Sequence, residues 1–201
     1  FHSISYTMFS YNISVVRRQE KVNYIVLDLE ATCKENDRSF PNETIEIGAV
    51  KLDSDFNIIS TYNKFIKPKL NPVLTQFCKD LTSITQADID TAQTFDEVIE
   101  DFKAWAGIGV EPYILCSWGH YDKHQLARDC ELYKLPKEWT ERHISLKHQF
   151  GFIRGVRPCG MAKALRILNI PLEGTHHRGI DDAKNIAKIF VALKDRWDFK
   201  L

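Results

Sequence analysis

Apolar positions along the chain fall into two rhythms. Residues Asn23–Leu27 (NYIVL) form a continuous apolar run, the mark of a strand covered on both faces. Thr44–Leu52 (TIEIGAVKL) alternates and reads as a second strand, and Ile58–Lys67 reads as a third, stopped by Pro68 and Pro72. The helical period then takes over. Phe95–Ala106 carries Phe95, Val98, Ile99, Phe102 and Trp105–Ala106 on one face. Tyr113–Trp118 (YILCSW) returns to a buried strand, and a helix from about Asp122 to Tyr133 aligns Leu126, Ala127, Cys130 and Tyr133. Gly160–Leu168 predicts a short helix. A last helix starting near Gly179 sets Ala183, Ile186, Ala187, Phe190 and Val191 on one stripe. Three closely linked strands followed by helices alternating with strands predict an α/β domain. Its sheet is mixed, with helices on both faces and the first three strands as an antiparallel meander.

Composition narrows the picture modestly. A chain of 201 residues, 44% hydrophobic and 27% charged, fits one domain with a sizeable core. Lys+Arg and Asp+Glu both number 27, so the formal net charge is zero. A basic field over the whole protein is therefore absent, and contact with nucleic acid would need a local groove or cations that neutralise phosphate. Five cysteines, Cys33, Cys78, Cys116, Cys130 and Cys159, form no CxxC pair. They are expected to be separate reduced thiols in a cytoplasmic protein, not a disulfide framework or a zinc site. No apolar run approaches the roughly 20 residues of a membrane span. Residues 1–19 lack acids and also lack the long apolar centre of a secretory signal. We read 1–22 as a leader, either a disordered or added segment or an organelle-targeting one, and 23–201 as the domain.

The chemistry lies in acids placed at element ends. Asp28 and Glu30 close the first strand, and side chains two apart on a strand share a face. Either they are solvated at a loop edge or a hard cation sits between them, since oxygen ligands of this type suit Mg²⁺. Asp122, in SWGHYD, follows a buried strand. It either favours the first turn of its helix or, four residues before Leu126, leans toward the packed face and the strand ends. The segment HHRGIDD over His176–Asp182 offers two registers, His176 with Asp181 or His177 with Asp182. At about 100° per residue, Asp181 falls opposite the apolar stripe and Asp182 at its edge. Asp182 is therefore chosen as ligand and Asp181 as a solvated acid. His177 is expected to swing independently of the helix.

Together, Asp28 and Glu30 in DLEAT, Asp122 in SWGHYD, and His177 with Asp182 in HRGIDDAKN resemble the DEDD exonuclease superfamily with a histidine in its third motif. The resemblance runs from about Asn23 to Leu193. The ATC after Glu30, IEIGAV, FCKDLTSIT and HRGIDDAKNIA are similar to the Eri-type RNA exonucleases, and the bacterial KapD type shares the pattern. Ser83 departs from it, standing where a Gly is more usual.

This resemblance implies a ribonuclease-H-like fold with a five-stranded mixed sheet, and a 3′–5′ exonuclease that releases nucleoside monophosphates. It implies two Mg²⁺ ions, with Mn²⁺ able to substitute, held by Asp28, Glu30, Asp122 and Asp182, and His177 as general base. The expected substrate is the single-stranded 3′ end or short overhang of RNA, and secondarily DNA, met by a monomer. KapD-type relatives, associated with restraint of a kinase, imply an alternative regulatory role. Ala31 and Thr32 could contact the terminal nucleotide together with Glu30 and His177. Phe77, Leu81 and Trp118 are candidate stacking or wedging residues, with ordinary core the alternative for Phe77 and Trp118. Lys79, His120 and Lys123 either meet phosphates or are solvated charges.

Overall fold

The computed structural model describes residues 21–200. The leader expected over 1–22 lies, except for its last two residues, outside the described residues. The sheet has five strands in the order β3-β2-β1-β4-β5. They are β1 (Asn23–Ala31), β2 (Thr44–Leu52), β3 (Ile58–Phe65), β4 (Tyr113–Ser117) and β5 (His143–Ser145). The first three pair antiparallel, as their close spacing predicts, and β4 and β5 join parallel to the growing edge. Among the described residues seven α-helices flank the sheet: α1 (Gln76–Thr82), α2 (Gln86–Asp90), α3 (Phe95–Ala106), α4 (Tyr121–Leu132), α5 (Leu146–Arg154), α6 (Met161–Ile167) and α7 (Gly179–Ala192). Among the described residues no helix is long and apolar enough to cross a membrane.

The period-2 geometry of β1 explains both cores. Ile25, Leu27 and Leu29 point to one face, where Phe95, Val98, Ile99 and Phe102 of α3 and Leu126 of α4 cover them. Tyr24 and Val26 point to the other, against Ala183, Ile186 and Phe190 of α7. Asp28 and Glu30 continue this second series. The strand stays buried to its end, and its α7 face changes from apolar to acidic where the first turn of α7 arrives.

That arrival depends on a glycine. Gly48 of β2 lies opposite Asp28 in the antiparallel ladder. A Cβ on Gly48 would stand 2.0 Å from the carbonyl carbon of Gly179 at the start of α7. Gly48→Ala is therefore expected to push α7 off the sheet and destabilise the fold by about 3 kcal/mol or more. Urea denaturation would show this as a lower midpoint, and an unchanged midpoint would mean that the close approach is not needed.

Short elements account for what periodicity does not show. Helices α1 and α2 are only seven and five residues long, with Thr75 and Thr85 as N-caps, and β5 is three residues long. Ser83 ends α1 in the left-handed region at φ 58°. That conformation disfavours a side chain and explains why a glycine is the more usual residue there.

Candidate active site

Four elements converge on a cleft of about 370 Å³ lined by Asp28, Glu30, Trp118, Asp122, His177 and Asp182 among others. Carboxylate oxygens of Asp28, Glu30 and Asp182 lie within 4.8 Å of one another. Asp122 lines the same cleft without belonging to that cluster. Its Oδ1 accepts the Leu29 N–H at 3.1 Å, so the packed-face reading holds and the first turn of α4 is fastened to β1.

Crowding these acids has an electrostatic cost. Burial, reinforced by Asp122, Glu30, Asp182 and Glu46, holds the Asp28 carboxyl well above the ordinary carboxylate range. Burial and the neighbouring Glu46 and Asp182 push Glu30 up to about 8. Burial also raises Asp122 to about 6, against hydrogen bonds from Ser117 and Leu29 that favour its charged form. Divalent cations would relieve this repulsion, and the all-oxygen donor set suits hard ones. The residues therefore fit a metal site.

The sign of the pH effect follows. The raised pKa of Glu30 means that the folded chain keeps a proton which the unfolded chain releases from about 4.5 upward. Its stabilising share is complete below about 4.5 and lost as pH rises through about 8. Chelator-treated protein should melt at falling temperature across that window. Added Mg²⁺ should raise the melting temperature more near pH 8 than near pH 5, as read by calorimetry. An equal Mg²⁺ effect at both ends would argue against ligation by Glu30.

The third motif is more constrained than expected. Asp182 accepts the His177 backbone N–H at 3.0 Å, and its carboxylate oxygens lie 2.9 and 3.0 Å from His176 Nδ1. The two imidazoles stack with centroids 4.0 Å apart. Asp181, expected to be merely solvated, accepts the Thr175 N–H at 2.9 Å and so fastens the loop to the helix. His177 itself sits at φ 65°. A loop that swings freely is thus replaced by a clamped backbone. Within this motif it is the His177 imidazole, not that of His176, that makes no hydrogen bond among the described residues. Burial and the adjacent His176 hold its pKa below the ordinary histidine value, partly offset by Asp182.

Glu46 escaped the sequence reading. It pairs with Glu30 across β1 and β2, is fully buried, accepts the Gly179 N–H at 3.0 Å and ion-pairs with Arg178 at 3.2 Å. Val50 and Leu52 share its parity in an otherwise two-face-buried strand, and a charge among them was the available signal. Glu46 anchors the positive end of α7 beside the acids. Tyr121, Gly160 and Met161 also line the cleft without having been singled out.

The nucleotide-contact candidates divide. Trp118 is both packed and presented: its indole N–H donates to the Cys159 carbonyl at 2.9 Å, its ring lies 5.7 Å from Phe150, and it lines the cleft. Phe77 and Leu81 are exposed on α1, which excludes the core reading for Phe77, but neither lines the cleft around the acids. Thr32 is 2% exposed, and its hydroxyl accepts the Glu43 N–H at 2.9 Å. Its own N–H goes to the Glu43 carbonyl at 2.8 Å. Thr32 therefore serves the strand ladder, and a hydroxyl contact to substrate is not supported. Ala31 is buried beside it. Lys123 is engaged with Glu141 at 2.5 Å, while His120 is exposed at the start of α4 and Lys79 is half-buried.

A family model described as Exonuclease (RNase_T) matches residues 25–190. The human "ERI1 exoribonuclease 3" is 35% identical over 185 residues, covering 86% of this chain and 54% of its own. The human "3'-5' exoribonuclease 1" is 32% identical over 179 residues, covering 84% and 51%. The chain thus spans about half the length of the curated relatives it matches. A crystal structure of the nuclease domain of 3'hExo, a DEDDh family member bound to rAMP, superposes with a TM-score of 0.80 at 30% identity. It covers 88% of this chain and 92% of that one.

Proposed function

Because the chain belongs to this exonuclease family, we propose that it is a 3′–5′ exoribonuclease that hydrolyses the terminal phosphodiester of single-stranded RNA and releases nucleoside 5′-monophosphates. One observation carries the reading: Asp28, Glu30 and Asp182 converge within 4.8 Å, with Asp122 and an unengaged His177 imidazole on the same cleft. The relatives' names and the rAMP in the 3'hExo domain support RNA as the substrate class.

Members of this family depend on divalent metal. In this chain Asp28, Glu30, Asp122 and Asp182 would hold Mg²⁺, with Mn²⁺ as a substitute. Bound ions would lower the pKa of the attacking water and neutralise charge on the reacting phosphate. His177 would take the water's proton, and its lowered pKa keeps it neutral and ready at physiological pH. Trp118 would present its face to the terminal base. The Glu30 carboxylate and the backbone near Ala31 would read the 2′-hydroxyl. The catalytic domain would occupy 23–201 and act as a monomer in the cytoplasm, whose reducing conditions suit five free thiols.

The test compares initial rates on a labelled RNA oligomer and on the same oligomer ending in one deoxynucleotide, with Mg²⁺ present. Mononucleotide release is expected from both. The RNA terminus should be favoured roughly five- to tenfold, the worth of one hydrogen bond of about 1 kcal/mol. No release from either substrate would overturn the enzymatic reading, and equal rates would remove the sugar contact.

A further inference from the structure

All five cysteines are free thiols, as expected, and two of them meet in one cluster. Cys33 leaves the end of β1 and is part-exposed, whereas Cys78 sits in the middle of α1 and is fully buried. A single hydroxyl ties their backbones. Thr75 Oγ1 donates to the Cys33 carbonyl at 2.6 Å and accepts the Cys78 N–H at 3.0 Å. The Cys33 side chain packs on the small cluster formed by Ile45, Leu74, Cys78 and Ile84. Cys78 Sγ lies 3.7 Å from the carbonyl oxygen of Ala31, two residues before Cys33. A disulfide, with its S–S bond of about 2.05 Å, would join two side chains that already meet in one cluster.

We propose that Cys33 and Cys78 form a peroxide-sensitive dithiol that closes to an intramolecular disulfide, joining α1 to the segment that leaves β1. The chemistry balances with hydrogen peroxide as oxidant. The neighbouring Cys33 pulls the Cys78 thiol down to about 7, while the Cys33 thiol is raised. The Cys78 thiolate attacks a peroxide oxygen. The O–O bond breaks, Cys78 becomes a sulfenic acid, and the released hydroxide takes the proton from Cys33 and leaves as water. The Cys33 thiolate then attacks the Cys78 sulfur, the S–O bond breaks and hydroxide departs. Two thiol sulfurs are oxidised by two electrons and one peroxide is reduced to water and hydroxide.

The position gives the bond a reach beyond its own sulfurs. Cys78 is an electrostatic neighbour of Glu30, and the same helix carries the exposed Phe77 and Leu81. A closed disulfide fixes that helix against the acidic end of β1. It also closes the long loop between the two residues, which restricts the unfolded chain.

The test uses the full reduced chain and needs no activity measurement, so its result is separable from the exonuclease reading. The protein is treated with stoichiometric hydrogen peroxide, quenched with a thiol alkylator, digested and mapped by mass spectrometry. Expected are loss of two hydrogens, a peptide joining Cys33 to Cys78, recovery of both thiols with dithiothreitol, and a higher Tm for the oxidised form. Cys159, the other part-exposed thiol, should remain alkylatable. Cys33→Ser should abolish the link and the Tm rise. The proposal fails if Cys78 advances to sulfinic acid while Cys33 stays alkylatable, or if Cys33 pairs with Cys159 or between molecules. Mapping of the unsubstituted chain decides the matter even if a variant does not fold.

Discussion

Asp28→Ala is expected to lower the rate of 3′-end release by about a thousandfold or more while the chain stays folded. Asp28 lies opposite Gly48 on the α7 face of β1, within 4.8 Å of the Glu30 and Asp182 carboxylates. It is pressed by burial and four other acids, more than any other member of the group. A carboxylate held under such repulsion is costly to the fold until a proton or a cation relieves it. Its removal should therefore leave the metal-free protein at least as stable as before. Function should respond in the opposite direction. Metal-assisted charge stabilisation contributes several kcal/mol, and each ~1.4 kcal/mol is a tenfold in rate. Single-turnover rates on labelled RNA, paired with melting curves in chelator, separate the two effects. A folded variant that still trims RNA near the original rate would exclude Asp28 from the site's chemistry.

The second large effect distinguishes two adjacent imidazoles. His177→Ala should lower kcat by roughly a hundred- to ten-thousandfold, the range for a lost general base, with Mg²⁺ affinity retained. His176 Nδ1 is already engaged by Asp182 at 2.9 Å, whereas the His177 ring is not engaged. His176→Ala should therefore cost less and act chiefly through the placement of Asp182. The wild-type pH profile should have its acidic limb below the ordinary histidine pKa, because burial and His176 lower that of His177. That limb should be lost in His177→Ala. If His176→Ala produces the larger fall in kcat, the base is His176, and the choice of register over His176–Asp182 is reversed.

Much of this site was legible because its acids break an apolar pattern. Asp28 and Glu30 end a run that is otherwise buried on both faces, and the stripe of α7 points to Asp182 over Asp181. The long helices and the meander are legible for the same reason, since ten or more residues of period suffice to show a face. Less visible were features defined by contacts between elements. Gly48 reads as a weak point in a strand until Gly179 is seen against it. Glu46 shows only as a charge among buried positions until its partners, Arg178 and the Gly179 amide, arrive from the far end of the chain. Helices α1 and α2, rich in caps and too short for a period, fell between the strands and the first long helix. The left-handed backbone at His177 is likewise encoded by no side-chain pattern.

The distribution of the acids along the chain also sets a timetable. Asp28 lies in the first strand and Asp182 in the last long helix, so they meet only after nearly every residue between them has been made. At typical rates of synthesis that interval is about ten to thirty seconds. During it the α7 face of β1 and β2 has no cover, and the acid cluster lacks one member. A growing chain, necessarily close to the RNA that encodes it, is thus without a complete hydrolytic centre until its final helix docks. Under the proposed function, order of synthesis would by itself keep the chain from acting on that RNA while it is being made.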